Sequence, residues 1–154
     1  MNNLPEKSLT SIAVAIIYQD GKYLMQLRDD VPHIIHPGVW GFFGGHVEPG
    51  EEPEAGLKRE LIEEINYHVE QVTLFRCERF AHYLRYLYYC PLTVSLAELE
   101  LREGWDLKLL TPVEIRQGTA YSPKALAHKP LGETHRQVML DFMNSKVDTS
   151  TVIS

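Results

Sequence analysis

The sequence predicts an α/β fold, on three observations. Strand-length apolar runs recur along the chain, one amphipathic helix follows a glycine loop, and a second apolar stripe with helical spacing lies near the end. With 154 residues and 44% hydrophobic composition, the chain is expected to form one domain spanning 1–154, with loose ends at 1–9 and 145–154.

The apolar run Ile12–Ile17 places a first strand near 11–18, and Tyr23–Leu27 a second near 22–28. Asp29 to Gly38, with His33, His36, Pro32 and Pro37, is a long loop, either a cover for a ligand or a surface connection. A third strand near 39–43 runs into Gly44-Gly45, and the loop from Gly45 to Gly50 leads to Pro53, which suits the first turn of a helix over 53–66. Strands follow near 70–79, 82–95 and 105–110, with Pro91 expected to interrupt or bulge the fifth. A short helix begins at Pro112, and Leu131, His135, Val138, Met139 and Phe142 form the stripe of the last one, with His135 expected to pack or cap.

On the helix over 53–66, Glu60, Glu63 and Glu64 point the same way, because residues three and four apart share a face. They span roughly 100° of surface, while Leu61, Ile62 and Ile65 lie opposite and pack on a core. Three carboxylates in one turn repel one another, and a divalent cation removes that cost. Carboxylate oxygens are hard ligands suited to Mg²⁺ or Mn²⁺. A bare Glu-Glu pair reads more simply as a solvated acidic face; the surrounding spacing reverses that reading. Gly45 is followed after five residues by Glu51, and after seven more by Arg59-Glu60-Leu61-Ile62-Glu63-Glu64.

These residues resemble the box of the Nudix hydrolases, which is Gly, five residues, Glu, seven residues, then Arg-Glu-aliphatic-x-Glu-Glu-x-Gly-aliphatic. Asn66 and Tyr67 depart from it, standing where the family has glycine and an aliphatic residue. Asn is the next best residue for the left-handed helix end that the glycine position requires. Gly56 replaces the usual alanine one turn before Glu60; it costs about 1 kcal/mol of helix propensity and admits a closer neighbour.

The resemblance implies an α/β/α sandwich with a mixed sheet, and hydrolysis of a P–O–P linkage by water with Mg²⁺ or Mn²⁺. It assigns Glu60 and Glu64 as main metal ligands, Glu63 as a shared or water-mediated ligand, and the Gly45 carbonyl as a backbone ligand. Arg59 would pair with Glu51 and hold the loop against the helix. The general base is not fixed by the box. Glu103-Gly104-Trp105 is similar to a Glu-Gly pair that mutator-type members carry before a Trp-containing strand, which makes Glu103 a further ligand, the base, or a plain loop glutamate. Arg28, at a strand end, is a phosphate contact or a surface ion pair. His46 touches a phosphate or is merely solvated.

For the base of a nucleotide substrate, Trp40 is a candidate stacking surface, with a place in the core left open as the alternative. Strand alternation puts Trp40 and Phe42 on one face and Phe43, assigned to the core, on the other. Tyr83 sits at the spacing of a tyrosine in dinucleoside-polyphosphate-cleaving relatives, a match that a tyrosine-rich strand also meets by accident. The marks of the branches that cleave ADP-ribose and coenzyme A are missing, as is the catalytic-cysteine motif of the isoprenoid-isomerising branch. The expected substrate is a small nucleotide: a nucleoside triphosphate, an oxidised nucleotide, a nucleotide sugar or a dinucleoside polyphosphate. A catalytically weak, nucleotide-sensing domain is the alternative.

The net charge of −6 disfavours extended nucleic acid as a partner, since such binding needs clustered Lys and Arg. Cys77 and Cys90 are too few and too far apart for a disulfide scaffold, so a reducing, cytoplasmic setting is expected. Ile12–Ile17 and the uncharged run Tyr86–Ala97 are too short to span a bilayer, and no membrane partner is expected. A homodimer is left open.

Overall fold

The computed structural model describes residues 9–32 and 37–150. His33 and His36, expected in the long loop, lie outside the described residues. The elements are β1 (Thr10–Gln19), β2 (Lys22–Leu27), β3 (Trp40–Gly41), β4 (Phe43–His46), α1 (Pro53–Ile65), β5 (Thr73–Arg79), β6 (Tyr83–Pro91), β7 (Asp106–Leu110), α2 (Pro112–Gln117), β8 (Thr119–Ser122), β9 (Ala127–Pro130) and α3 (Glu133–Met143).

β1 organises a mixed sheet. It pairs in parallel with β6 from Thr10↔Tyr83 to Tyr18↔Pro91, all of its length but Gln19. On its other side it changes partner: Ile12–Ala15 pair antiparallel with β4, whereas Ile17–Gln19 pair antiparallel with β2. Where β1 and β2 part, the chain from Trp40 to His46 fills the gap, β3 pairing with β2 and β4 with β1. β7 extends the sheet beside β2 and β5 beside β6.

Alternation along β1 divides the interior into two cores. Val14, Ile16 and Tyr18 join Trp40, Phe42, Leu87, Ile115, Val138, Met139 and Phe142 beneath α2 and α3. Ala13, Ala15 and Ile17 join Phe43, Leu57, Leu61, Ile65, Tyr88 and Cys90 beneath α1. The result is the expected sandwich of helices on both faces of a mixed sheet.

Several expectations change in detail. The third strand is two short strands separated at Phe42, whose N–H donates to His135 Nδ1 at 3.3 Å instead of to a neighbouring strand. The fifth ends at Pro91, after which the Leu92 N–H turns back to the Tyr18 carbonyl. A β8–β9 hairpin, not anticipated, joins α2 to α3. The terminal segments are not wholly loose, since Leu9 is buried and Val147 packs on the α3-side core. Among the described residues, no helix is long and apolar enough to cross a membrane.

Candidate active site

The site forms where β4, α1 and the loop before β7 meet. α1 starts with Pro53 at its first turn and ends at Asn66, which adopts the left-handed conformation (φ 54°). The Asn66 N–H donates to Ile62 O and the Tyr67 N–H to Leu61 O, closing the helix end as a glycine would. Tyr67 is buried where an aliphatic side chain was expected, and its hydroxyl is satisfied by donating to Pro91 O and accepting from Thr93 N–H.

Gly44 gives β4 its special shape. Its φ is +139°, and a Cβ there would fall on the Ala13 carbonyl oxygen, so a side chain has no room. The strand can therefore turn the Gly44 N–H toward α1, where it donates to Glu64 Oε1 at 2.8 Å. Gly45 is equally exacting: a Cβ would stand 2.7 Å from the Glu60 carboxyl carbon. The two glycines bring backbone and carboxylates closer than any side chain would permit.

Glu64 is only 4% exposed. Burial pushes its carboxyl up to about 8; the charges of Glu60 and Glu103 act in the same direction, while the Gly44 N–H and the Gln26 amide oppose. Glu60 is shifted upward too, first by burial and then by Glu63 and Glu103, against the pull of Arg59. Glu63 lies further out, its side chain 57% exposed.

Arg59 is the counter-charge. Its Nε and Nη2 grip the two oxygens of Glu51, each at 3.0 Å, in a planar fork. Nη1 donates to Glu60 at 3.1 Å and reaches Glu63 at 3.4 Å, and Nη2 also donates to the His46 carbonyl at 3.1 Å. The paired Arg59 holds the Glu51 carboxyl down to about 2. Gly56 explains the close fit, since a Cβ there would lie 2.8 Å from Glu51 Oε1.

Glu103 reaches the group from a distant segment. Its loop is spliced onto the C-terminal end of α1: the Arg102 N–H donates to Glu64 O at 2.8 Å, the Glu100 N–H to Ile65 O at 3.1 Å, and Arg102 Nη1 to Ile62 O at 3.1 Å. These donors satisfy the helix's last carbonyls and fix where the exposed Glu103 stands. The Trp105 N–H then donates to Leu27 O, joining the loop to β2.

Two other candidates lie at the rim. His46 ends β4 and is exposed, and Arg28 follows β2, half-buried, its N–H donating to Val39 O. Trp40 is corrected. It is fully buried in the α3-side core and its Nε1 donates to Ala120 O at 3.1 Å, so no face is offered to a base. The covering elements, β8 and α3, lie far along the chain from Trp40, beyond the reach of local alternation. Gln26 was missed altogether. It is buried, donates to Phe42 O at 2.9 Å and stands beside Glu64; only a polar residue in an otherwise apolar strand hinted at it.

Among the described residues, no three His, Cys, Asp or Glu side chains converge closely enough to hold a metal ion as they stand. Arg59 Nη1 takes one oxygen of Glu60, and the Gly44 N–H takes one of Glu64. The donor chemistry fits a hard divalent cation nonetheless, because buried Glu64 lies beside Glu60 with Glu103 adding negative charge.

Sandwich, glycine strand and carboxylate-lined helix together define a hydrolase scaffold, and comparison with known proteins places it. A family model described as NUDIX domain matches residues 8–142, and the chain belongs to the Nudix hydrolase family. Family membership supports pyrophosphohydrolase chemistry in general, which in this family typically uses divalent metal. Similar solved structures include a MutT NUDIX hydrolase from Burkholderia pseudomallei (TM-score 0.64, 22% identity, 85% of this chain and 95% of that one). A NUDIX hydrolase from Nitrosomonas europaea aligns with TM-score 0.67 at 19% identity, over 96% of this chain and 79% of that one. Among curated proteins, the nucleoside triphosphatase NudI of Escherichia coli O1:K1 is 43% identical over 56 residues, or 36% of this chain. The match spans 38% of that relative's length.

Proposed function

We propose that the chain is a Mg²⁺- or Mn²⁺-dependent hydrolase that cleaves the pyrophosphate bond of a nucleoside diphosphate linked to another group. The supporting observation is the position of Glu64, buried against the Gly44 N–H with Glu60 and Glu103 beside it. A carboxyl placed at such a desolvation cost, against a strand that only glycine can build, is one that a bound cation would stabilise.

In this reading residues 1–154 act as one Nudix domain. Glu60, Glu64 and the Gly45 carbonyl would hold the metal, with Glu63 as a shared or water-mediated ligand. Bound there, a divalent cation polarises phosphoryl oxygens and neutralises the leaving phosphate. Arg59 keeps its fork on Glu51, so that the loop and helix stay in register. Glu103 takes the proton of the attacking water. Arg28 and His46 bind phosphate oxygens at the rim. Substrates among nucleoside triphosphates, oxidised nucleotides, nucleotide sugars and dinucleoside polyphosphates share this linkage, and the NudI likeness supports a nucleotide over other pyrophosphates. A small-molecule substrate and a cytoplasmic setting complete the proposal.

A second reading has one observation in its favour: Arg59 already neutralises Glu60 and reaches Glu63, as it would in a nucleotide sensor that never turns over. Turnover measured across a metal-supplemented panel of these four classes tests both. Product from any of them, lost in Glu64→Gln, supports the hydrolase. Tight binding without product from all of them supports the sensor, and near-normal activity of Glu64→Gln would sink the ligand assignment.

A further inference from the structure

An open cavity of about 450 Å³ is lined by Asp29, Asp30, Val31 and Trp105, the last of which lies two residues after Glu103. Its walls are held by backbone. The Arg28 N–H donates to Val39 O at 3.0 Å, and the Gly38 N–H donates to the carbonyls of Arg28 and Asp29 at 3.2 and 3.3 Å. Gly38 has φ +65°, and a Cβ on it would lie 3.3 Å from the Asp30 carboxyl carbon, so glycine both makes the turn and lets that carboxylate settle against it. On the other wall, Trp105 is tied to β2 through its N–H to Leu27 O at 2.9 Å, and Lys129 Nζ lies 5.2 Å from the centre of its ring. That cation–π contact steadies the indole. Among the described residues, neither Asp29 nor Asp30 is engaged in a salt bridge.

We propose that this cavity receives a sugar ring carried on the second phosphate of the substrate, with Trp105 as its apolar platform and Asp29 and Asp30 as acceptors for its hydroxyls. The inference rests on the pyrophosphohydrolase reading and narrows the linked group to a polyol.

Position is the first reason. Trp105 follows Glu103 by two residues, no more than about 7 Å of chain, a separation suited to a group bonded directly to the phosphates being cleaved. A nucleobase stands a ribose further away. Chemistry is the second reason. Ionised carboxylates only accept hydrogen bonds, and a hydroxyl-rich ring supplies donors, whereas a base edge mixes donors with carbonyls that two carboxylates repel. A third phosphate offers no donor and carries the same charge as the aspartates. Indole adds an amphipathic surface on which the C–H face of a ring can lie. The volume falls in the range of small-molecule sites and holds one such ring with its water.

The two tryptophans make the test direct. Trp40 is fully buried, so a collisional quencher such as iodide reads Trp105. The full-length protein, with Mg²⁺, is titrated with hydrolysis-resistant methylene analogues of nucleoside diphosphate hexoses and nucleoside triphosphates, and with plain nucleoside diphosphates, each carrying adenine, guanine or uracil. The diphosphate hexose is expected to shield Trp105 from iodide, while the diphosphate and triphosphate bind without shielding it. In the Asp29→Asn/Asp30→Asn double variant, Kd for the diphosphate hexose is expected to rise about tenfold and Kd for the diphosphate to stay the same. Equal shielding by the diphosphate would put the nucleoside, base or ribose, in the cavity, and shielding by the triphosphate alone would put a phosphate there; either overturns the proposal. So does a diphosphate hexose that binds and leaves Trp105 quenchable. If no nucleotide binds at all, the hydrolase reading fails with it, which is a different and recognisable result.

Discussion

Glu64 and Glu51 belong to one loop-helix unit and carry the same side chain, yet their surroundings send them in opposite directions. Burial pushes Glu64 up to about 8, while Arg59 holds Glu51 down to about 2. Glu51 is an ion pair already complete, at the surface, with its partner in a planar fork. Glu64 is an acid taken out of water with the Gly44 N–H and the Gln26 amide for compensation. The contrast separates residues that hold the site together from those that await a positive charge.

The largest expected effect comes from removing that waiting charge. Glu64→Gln keeps an oxygen to accept the Gly44 N–H but cannot bind a cation as a carboxylate does. Turnover should fall on the order of 10³-fold, while the metal-free variant melts no lower than the parent; a marked loss of stability would mean that Glu64 is structural. Gly44→Ala attacks the same contact from the strand. The added methyl meets the Ala13 carbonyl and the positive φ is strained, so unfolding free energy should drop by about 3 kcal/mol or more, read from chemical denaturation.

Proton linkage gives the next effect. A carboxyl whose folded pKa is raised contributes stability that is full below its unfolded value of 4.5 and lost as pH rises toward about 8. Metal-free protein should therefore lose stability between about pH 5 and 8, and Mg²⁺ should flatten that slope by stabilising the ionised form. Glu51 has the opposite sign, since its depressed pKa makes its contribution full above 4.5 and lost only as pH falls toward about 2. Equal slopes with and without Mg²⁺ would contradict the role given to Glu64.

Glu51→Gln breaks the completed pair. It should weaken Mg²⁺ binding by about tenfold through misplacement of Glu60 and change stability far less than Gly44→Ala does. The smallest effect is expected from Gly56→Ala. Helix propensity would add about 1 kcal/mol, but the new methyl crowds the flexible end of Glu51, 2.8 Å away, and the two largely cancel. A calorimetric change well beyond 1 kcal/mol in either direction would show that the Glu51–Arg59 fork is stiffer or looser than its geometry suggests.

Much of the fold was legible. β1, β2 and β7 follow the expected runs within two residues, α1 ends one residue short of the expected 66, and the Asn66 helix end behaves as its chemistry predicted. These elements are decided by local rules: apolar alternation, proline at a helix start, a left-handed residue at its end. The β8–β9 hairpin was not legible, because its four-residue strands hold too few positions to show a period, and its turn includes Leu126 at φ 55°, a residue type that gives no turn signal. For Trp40 alternation settles the face, but it leaves open whether a base or the core meets that face, and the core does. Alternation tells which side a side chain takes, and what covers that side depends on segments far along the chain.

The sequence by itself determined the carboxylate row on α1, since helical spacing alone aligns Glu60, Glu63 and Glu64, and it determined that Gly44 and Gly45 precede them. Only the tertiary structure decided what each carboxylate would feel. Glu64 is buried because β4 folds its N–H onto it, Glu103 joins because three donors of its loop take the last carbonyls of α1, and Trp40 is lost to solvent because α3 closes over it. Spacing along one helix is a local geometry; burial and charge are sums over everything that packs nearby, and those sums exist only once the chain has folded.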